Sequence, residues 1–506
     1  MDSKNSSPRV ETRPAFASGW LRRKSIEQVQ AEYDRGELKK TLGPWNLLFL
    51  GIGCIIGAGI FVRTGNAAAL HAGPAVMLSF LVAGLVCAFA GLCYAELASV
   101  LPVSGSAYTY SYATLGEFAA WMMGALLLLE YGLAASVVAV GWSGYAVSLL
   151  HDIGIIIPPE LTGPLGHTVT AYGGETVATI FNLPALIVCL VMMSLLVVGV
   201  SESASVNNII VIIKGSVIVA FILIGAYAIL QTPDKYLPNW TPFIPEPTGE
   251  RGEFGFGGVM RAASIVFFAY IGFEAVSTAG QEAKNPKRDM PFGILGSLIV
   301  CTILYIGVAA VLTLLVNYKD LNTPAPVADA VNQLGEQWKW FAVAIKIGAI
   351  AGLTSVILVL MYGQTRIFYT MAKDGLLPGV FGSVHSKFKT PWINTILVGV
   401  IVAIAAAVFD INTLGDLTSV GTLAAFAAVC FTVIYLRRAR PDLDRGFKVP
   451  LFPIIPIFGI LSCLYLITTV EMRVLTFFAY YLAIAVVIYF LYGTHNSAIG
   501  KASRVK

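Results

Sequence analysis

The chain has 506 residues, of which 57% are hydrophobic and only 12% charged. A soluble domain usually carries about a quarter charged residues, so this composition excludes a water-soluble protein and points to an all-α polytopic membrane protein. The formal net charge of +4 then reflects topology and gives no case for a nucleic-acid partner.

A helical span needs about 20 apolar residues, and about twelve such spans fit this chain. They fall near 43–69, 74–100, 118–149, 183–200, 206–231, 258–280, 292–317, 340–371, 393–409, 412–436, 451–471 and 473–493. The first forty residues are polar, and within them Ser25 to Lys40 are expected to form a short surface helix. The basic residues of this tail either touch anionic headgroups or are simply solvated. No cleavable signal peptide is expected ahead of the first span.

That first span is interrupted at its centre by Gly51-Ile52-Gly53-Cys54-Ile55-Ile56-Gly57-Ala58-Gly59-Ile60-Phe61. Glycine costs a helix interior about 1 kcal/mol relative to alanine, so this cluster predicts a chain that unwinds at mid-membrane. In lipid, unwound backbone is tolerated only where it is buried in protein or lines a polar cavity. Its freed N–H and C=O groups can then hold a small solute. The same glycines would also serve close helix packing. Arg63 follows the break and is expected to project toward the outer vestibule, attracting a carboxylate and weakly opposing a dibasic solute.

After the second span, Gly105, Ser106, Tyr108, Tyr110 and Tyr112 make a polar, aromatic connection. It reads as a gate element or, more simply, as an interfacial aromatic belt. Ionisable residues inside spans are expensive and usually functional. Glu130 in the third span and Lys214 in the fifth lie deepest. Lys214 is expected to exchange a proton as its surroundings alternate between dry and wet, with Glu130 as its partner either directly or through water; a static clamp between the two helices is the alternative. Glu96, Glu274 and Glu282 lie nearer span ends, and Lys346 and Arg261 are expected to snorkel to the outer surface.

The sixth span carries a second interruption, Phe267-Phe268-Ala269-Tyr270-Ile271-Gly272-Phe273-Glu274-Ala275. Spans one and six correspond if the first ten spans are two repeats of five, the second inverted. Paired interruptions at corresponding positions point to a transporter binding site. Lysine and arginine bias agrees with an even number of spans. One side holds the basic N-terminal tail, Lys284, Lys287, Arg288, Lys373, Lys387, Lys389, the stretch Arg437 to Lys448 and the C-terminal tail. The other side holds few, such as Lys235, Arg251, Lys319, Lys339 and Arg473. The expected topology therefore has both termini in the cytoplasm. The division expected along the chain is a cytoplasmic segment 1–41, a ten-helix core 42–436, two further helices 437–493 and a tail 494–506.

All seven cysteines lie in apolar spans without metal or redox spacing and read as small core residues. No HExxH or Walker-type run occurs, so neither a zinc protease nor an ATP-driven pump is indicated, and no enzyme, metal or cofactor site is expected.

Several runs carry a resemblance. Gly53 to Phe61 reads as G-x-x-x-G-x-G-I-F, and Phe267 to Thr278 as F-F-A-Y-x-G-F-[DE]-x-V-S-T. Glu282 to Pro291 reads as E-x-x-N-P-x-R-x-x-P, and Arg366 to Pro378 as R-x-x-x-x-M-A-x-D-G-x-L-P. Together they resemble the amino acid–polyamine–organocation superfamily of transporters, especially the cationic amino acid transporter family and its bacterial members. The likeness extends from about Leu42 to Tyr492.

The resemblance implies a LeuT-like five-plus-five inverted-repeat core with two added C-terminal helices. It implies secondary active transport of L-amino acids by alternating access across a plasma membrane, here a bacterial inner membrane. The N–H groups of Gly57, Ala58 and Gly59 would take the substrate carboxylate, as helix ends favour anions. The carbonyls of Ile56, Phe268, Ala269 and Ile271 would take the α-ammonium, and Phe268 would cover the site from outside. Lys214 falls where bacterial relatives place a lysine whose ammonium replaces a sodium ion, which implies proton symport. The eukaryotic cationic branch has a small polar residue where this chain has Leu360. That departure leans toward small neutral amino acids such as alanine over arginine, lysine and ornithine. An amino acid exchanger, or a sensor without net transport, is the competing expectation.

Overall fold

The computed structural model describes residues 22–26, 40–103, 105–170, 176–199 and 204–504. The expected surface helix from Ser25 to Lys40 therefore lies almost wholly outside the described residues. Among those described, eight helical runs are long and apolar enough to cross a membrane, and four shorter apolar helices accompany them. The chain is a multi-pass membrane protein.

The first predicted span is two pieces. Helix α1 (Pro44–Ile55) has 12 residues, about 18 Å of helix against a hydrocarbon core of about 30 Å, so it cannot cross alone. The chain resumes in a π-helical turn, Gly59–Arg63, and the short helix Thr64–Ala67. Then come α2 (Val76–Val100) and a buried connecting helix α3 (Ser106–Thr114). Helices α4 (Glu117–Leu127) and α5 (Ala134–Asp152) join through a π-helical turn, Leu128–Leu133, into one rod. A hairpin of β1 (Thr168–Thr170) and β2 (Thr176–Ala178) follows, with Thr168 opposite Ala178 in an antiparallel pair. Next are α6 (Leu183–Val198) and α7 (Ala204–Gln231).

The sixth span is α8 (Gly255–Val266), a 3₁₀ turn Phe267–Tyr270, and a 3₁₀ helix Phe273–Glu282 of 10 residues. Runs of 3₁₀ helix beyond about four residues are uncommon and often mark a hinge. The rest comprises α9 (Pro286–Leu315), the short α10 (Pro326–Asn332), α11 (Lys339–Lys373), α12 (Trp392–Val408), α13 (Ile411–Ala439), α14 (Ile454–Thr468) and α15 (Met472–Ile488).

Burial sorts these elements. The most apolar window of the run Gly255–Glu282 is 94% buried, whereas that of Met472–Asn496 is only 17% buried. An element buried all round is the core of a bundle, while one apolar yet uncovered faces lipid. Helix α9 packs along α1 and α2, α11 along α5, α12 on α6 and α13 on α14. All seven cysteines are buried and none forms a disulfide among the described residues.

The connection at residues 105–114 departs from the aromatic-belt reading. Tyr108, Tyr110 and Tyr112 are buried, with Tyr108 donating to Asp374 at 2.9 Å and Tyr112 to Glu117 at 3.3 Å. Ser106 meets Ser277 of the sixth span. These rings seal protein against protein. The end of the bundle that carries them also receives Arg22, whose carbonyl accepts from Glu117 N–H at 2.7 Å, and Lys24, paired with Asp374 at 3.4 Å.

Candidate substrate site

Helix α1 ends where Ile56 turns to an extended backbone, φ −73° and ψ 96°. The chain restarts at Gly59 with Ala58 as the preceding cap. The first N–H groups of a restarted helix have no earlier turn to bond to, and the last carbonyls of α1 have none after them. A Cβ on Gly59 would stand 2.2 Å from Ala269 Cα, so only glycine fits there. One on Gly57 would meet Val356 at an ordinary 3.6 Å. Facing this break, Gly272 adopts φ +122°, and a Cβ on it would approach the Cys54 carbonyl carbon to 2.8 Å. The two interruptions therefore touch, bringing Ile56, Gly57, Ala58 and Gly59 beside Phe268, Ala269 and Ile271. Tyr305 of α9 ties them, donating to Ile55 O at 2.8 Å and Ala269 O at 3.0 Å. Sequence reasoning missed Tyr305, one tyrosine among 21 in an apolar run with no neighbouring signal.

The orphaned carbonyls of α1 are taken by Lys214. Its Nζ donates to Gly53 O at 2.5 Å and Ile56 O at 3.0 Å, and the residue is fully buried. A cation at a helix C-terminus is also favoured by the helix dipole. The carbonyls assigned by resemblance to a substrate ammonium are thus already engaged in part. Ile56 O accepts from Lys214, Ala269 O from Tyr305 and Phe268 O from Ile271 N–H at 3.2 Å. A carbonyl has two lone pairs, so a second donor remains possible at each.

The carbonyls of Gly53 and Ile56, and not the Glu130 carboxylate, accept the described hydrogen bonds of Lys214 Nζ. The carboxyl group of Glu130, fully buried at the π-helical turn, meets that of Glu274. One Glu274 oxygen accepts from Gly272 N–H at 2.9 Å. The other, and both Glu130 oxygens, have no protein donor. Helical rotation, not depth alone, decides which wall a side chain reaches.

Three other expected positions shift. Arg63 is fully buried and does not project into a vestibule. It donates to Asp416 at 2.9 Å and to Ile411 O at 2.9 Å, and its guanidinium lies 5.7 Å from the Phe268 ring centre. Arg261 does not snorkel but shares the same Asp416 carboxylate from the other side. Lys346 pairs with Asp152 at 2.5 Å and is likewise buried. Asp416, at the start of α13, was not singled out from the sequence, although a lone acid in an apolar span was a visible signal. At the other end, Glu96 is clamped by Arg437 at 2.8 Å.

A cavity of about 360 Å³ runs from Cys54 and Tyr131 beside the break to Glu282 and Arg366 at the bundle end, with Asn46 and Asn207 in its walls. A separate small space of about 10 Å³ lies among Ile60, Phe61, Val217 and Val327. The large cavity reaches the Glu282 end of the bundle, while at the Arg63 end Arg63, Arg261 and Asp416 are buried together. Leu360 is buried but does not line the open cavity; Leu358, Val359, Tyr362 and Gly363 do.

Ile56, Gly57, Ala58, Gly59, Phe268, Ala269 and Ile271 do not line this cavity, but Cys54 and Ala275, which flank the two breaks, do, and touching helix breaks beside a cavity suit a carrier of small solutes. Residues 42–492 match the amino acid permease family over nearly the whole chain. The chain belongs to the amino acid permease family. This permease thereby joins the amino acid–polyamine–organocation superfamily, and it is not an enzyme. It is 44% identical over 483 residues to the branched-chain amino acid permease BcaP of Bacillus subtilis, covering 95% of this chain and 99% of that one. It is 43% identical over 486 residues to the methylthioribose transporter of the same organism, covering 96% and 100%. It is 38% identical over 430 residues to the chloroplastic cationic amino acid transporter 9 of Arabidopsis thaliana, covering 83% and 72%.

Proposed function

We propose that this permease carries neutral L-amino acids, alanine-like ones first, across a bacterial inner membrane by proton symport and alternating access. The observation that carries the reading is the contact between the two helix breaks, which brings the first N–H groups of the restarting helix beside carbonyls that can each take a second donor. A zwitterion needs both. Gly57, Ala58 and Gly59 would offer donors to the carboxylate, and the carbonyls of Ile56, Phe268, Ala269 and Ile271 would surround the ammonium, with Phe268 as the cover. In this reading about twelve helices span the membrane, the first ten as an inverted repeat, with both termini cytoplasmic, as the basic loops suggest.

Lys214 and Glu130 would carry the coupling. Glu130, buried with no protein donor on either oxygen, would take up and release the coupled proton as water enters and leaves its surroundings. Lys214 would hold the break in the bound conformation while charged and free it on losing its proton.

Asp416, the acid beyond the break near Phe268, is already shared by Arg63 and Arg261 and is not open to a dibasic side chain. The substrates for which the relatives are named span neutral amino acids, cationic amino acids and a thioether sugar, and BcaP, named for branched-chain amino acids, agrees with the neutral choice. Uptake of labelled alanine, leucine, arginine and methylthioribose into proteoliposomes with a pH gradient, with and without sodium, tests this. Alanine or leucine should accumulate with the proton gradient alone. Arginine accumulation by the wild type would overturn the neutral assignment. Uptake that requires internal amino acid instead of a gradient would make the protein an exchanger.

A further inference from the structure

Helices α6 and α12 are short for a membrane. They have 16 and 17 residues, about 24 and 26 Å of helix against a hydrocarbon core of about 30 Å. They pack along one another and against α5. Their outward sides are apolar, with Ile187 and Val191 of α6 and Val400, Ile401 and Ile404 of α12 all exposed. Apolar helix faces that no protein covers meet lipid. Helices of this length leave part of the bilayer's apolar thickness unmatched. At the end where α12 begins, the preceding segment carries Lys387 and Lys389, which suit headgroups and water.

The opposite end, where Tyr145 of α5 donates to Phe61 O at 2.8 Å close to Arg63, is different. The connection leaving α5 there opens with residues 153–165, whose one charged residue is Glu160. Ile153 and Ile156 are 65% and 67% exposed, and Ile155, Leu165, Ile180 and Phe409 are exposed as well. Hydrogen bonds hold this connection on the helix ends. Leu165 N–H donates to Val408 O at 3.1 Å, Asn182 N–H to Ala407 O at 2.9 Å and Ile180 N–H to Glu160 O at 2.8 Å. The apolar surface of α6 and α12 therefore continues past their last turns onto the connection. Its backbone suits an apolar setting, where an unbonded peptide N–H is costly. Ile153 and Ile155 donate to Leu150 O and Gly154 to His151 O, while Pro158, Pro159 and Pro164 have no N–H to satisfy.

We propose that residues 153–165, with Ile180 and Phe409, form a membrane anchor whose exposed isoleucines enter the acyl-chain boundary of the leaflet at the Arg63 end and supply the apolar height that α6 and α12 lack. The partner is phospholipid acyl chain. A large exposed apolar patch marks a membrane or a protein contact. Continuity with two lipid-facing helices selects the membrane. Interfacial elements enter to about 5–10 Å, which covers the shortfall of about 4–6 Å in the two helices. The anchor does not depend on which solute the permease carries.

The test attaches a nitroxide to one position at a time in the full-length permease. Ile156→Cys probes the anchor, Ile404→Cys on α12 is the lipid reference, and Glu250→Cys in an exposed loop is the water reference. The wild type, whose cysteines are buried, is treated in parallel as the blank. In phosphatidylcholine vesicles, collision with oxygen, which gathers among acyl chains, is compared with collision with a water-soluble nickel chelate. Position 156 should favour oxygen as position 404 does. A nitroxide at 156 that meets the chelate as freely as one at 250 would overturn the anchor. So would one shielded from both probes or broadened by a second nitroxide, which would make the patch a contact between copies of this chain. A second measurement needs no nitroxide. Heat resistance of the wild type, followed in vesicles of increasing acyl length, should peak at a longer chain than that of Ile153→Ser/Ile155→Ser/Ile156→Ser, because the variant has lost apolar height. Peaks at the same acyl length would overturn the anchor, even in a variant less stable throughout.

Discussion

A lysine kept from water retains its charge only if protein acceptors replace its hydration shell, and Lys214 finds two in the carbonyls of Gly53 and Ile56. Its position thus links the break to protonation. Lys214→Met should leave those carbonyls unpaired at a cost of about 1–3 kcal/mol each. The expected outcome is a lower melting temperature in detergent together with uptake that no longer responds to a pH gradient; retained pH dependence would reduce Lys214 to a structural cap. The glycines of the break divide just as sharply. Gly59→Ala drives a methyl group into Ala269 and should cost roughly 1–3 kcal/mol of overpacking and abolish substrate-induced thermal stabilisation. Gly57→Ala has ordinary space and should be tolerated. Equal loss in both variants would mean that flexibility matters here and close approach does not. From the sequence the four glycines looked alike; their different neighbours, Ser297 at Gly51, Asn207 at Gly53, Val356 at Gly57 and Ala269 at Gly59, come from four other spans distant in the chain.

Elements meet most tightly where three of them share one charge cluster. The continuation of α1 brings Arg63, α8 brings Arg261 and α13 brings Asp416, all buried. Two guanidinium groups on one carboxylate make that carboxylate the pin of that end of the bundle. Removing one member of a buried ionic set strands the rest, so Asp416→Asn should destabilise the fold by about 3–5 kcal/mol. The apolar triple variant Arg63→Met/Arg261→Met/Asp416→Leu should recover most of that loss, because it leaves no stranded charge. Thermal unfolding of both variants checks this, and a triple variant no more stable than Asp416→Asn would show that the cluster is held by packing alone. The cluster was half legible in the sequence. Arg63 and Arg261 stood out as charges in apolar runs, but their common partner lies in a third element, and sequence spacing carries no information about which faces of three helices converge.

At the scale of the molecule, the large cavity reaches one end of the bundle, and both ends of the described chain gather on that side. Arg22 and Lys24 dock there on Glu117 and Asp374, and Ala498 N–H donates to the Asp374 carbonyl at 2.9 Å. If that side is cytoplasmic, epitope tags at either terminus should be cleaved by protease only in inside-out vesicles; cleavage in right-side-out vesicles would invert the topology. By itself the sequence determined the membrane environment, the approximate run of helices, the two breaks and the family motifs. Each is a property of a continuous stretch, settled by composition or by the local cost of glycine in a helix. Tertiary structure alone decided the partners: Lys214 on the α1 carbonyls, Glu130 on Glu274, and Arg63 and Arg261 on Asp416. A buried charge is satisfied by whichever group the rotation and packing of neighbouring helices bring within about 3 Å, and that is set by the whole bundle at once.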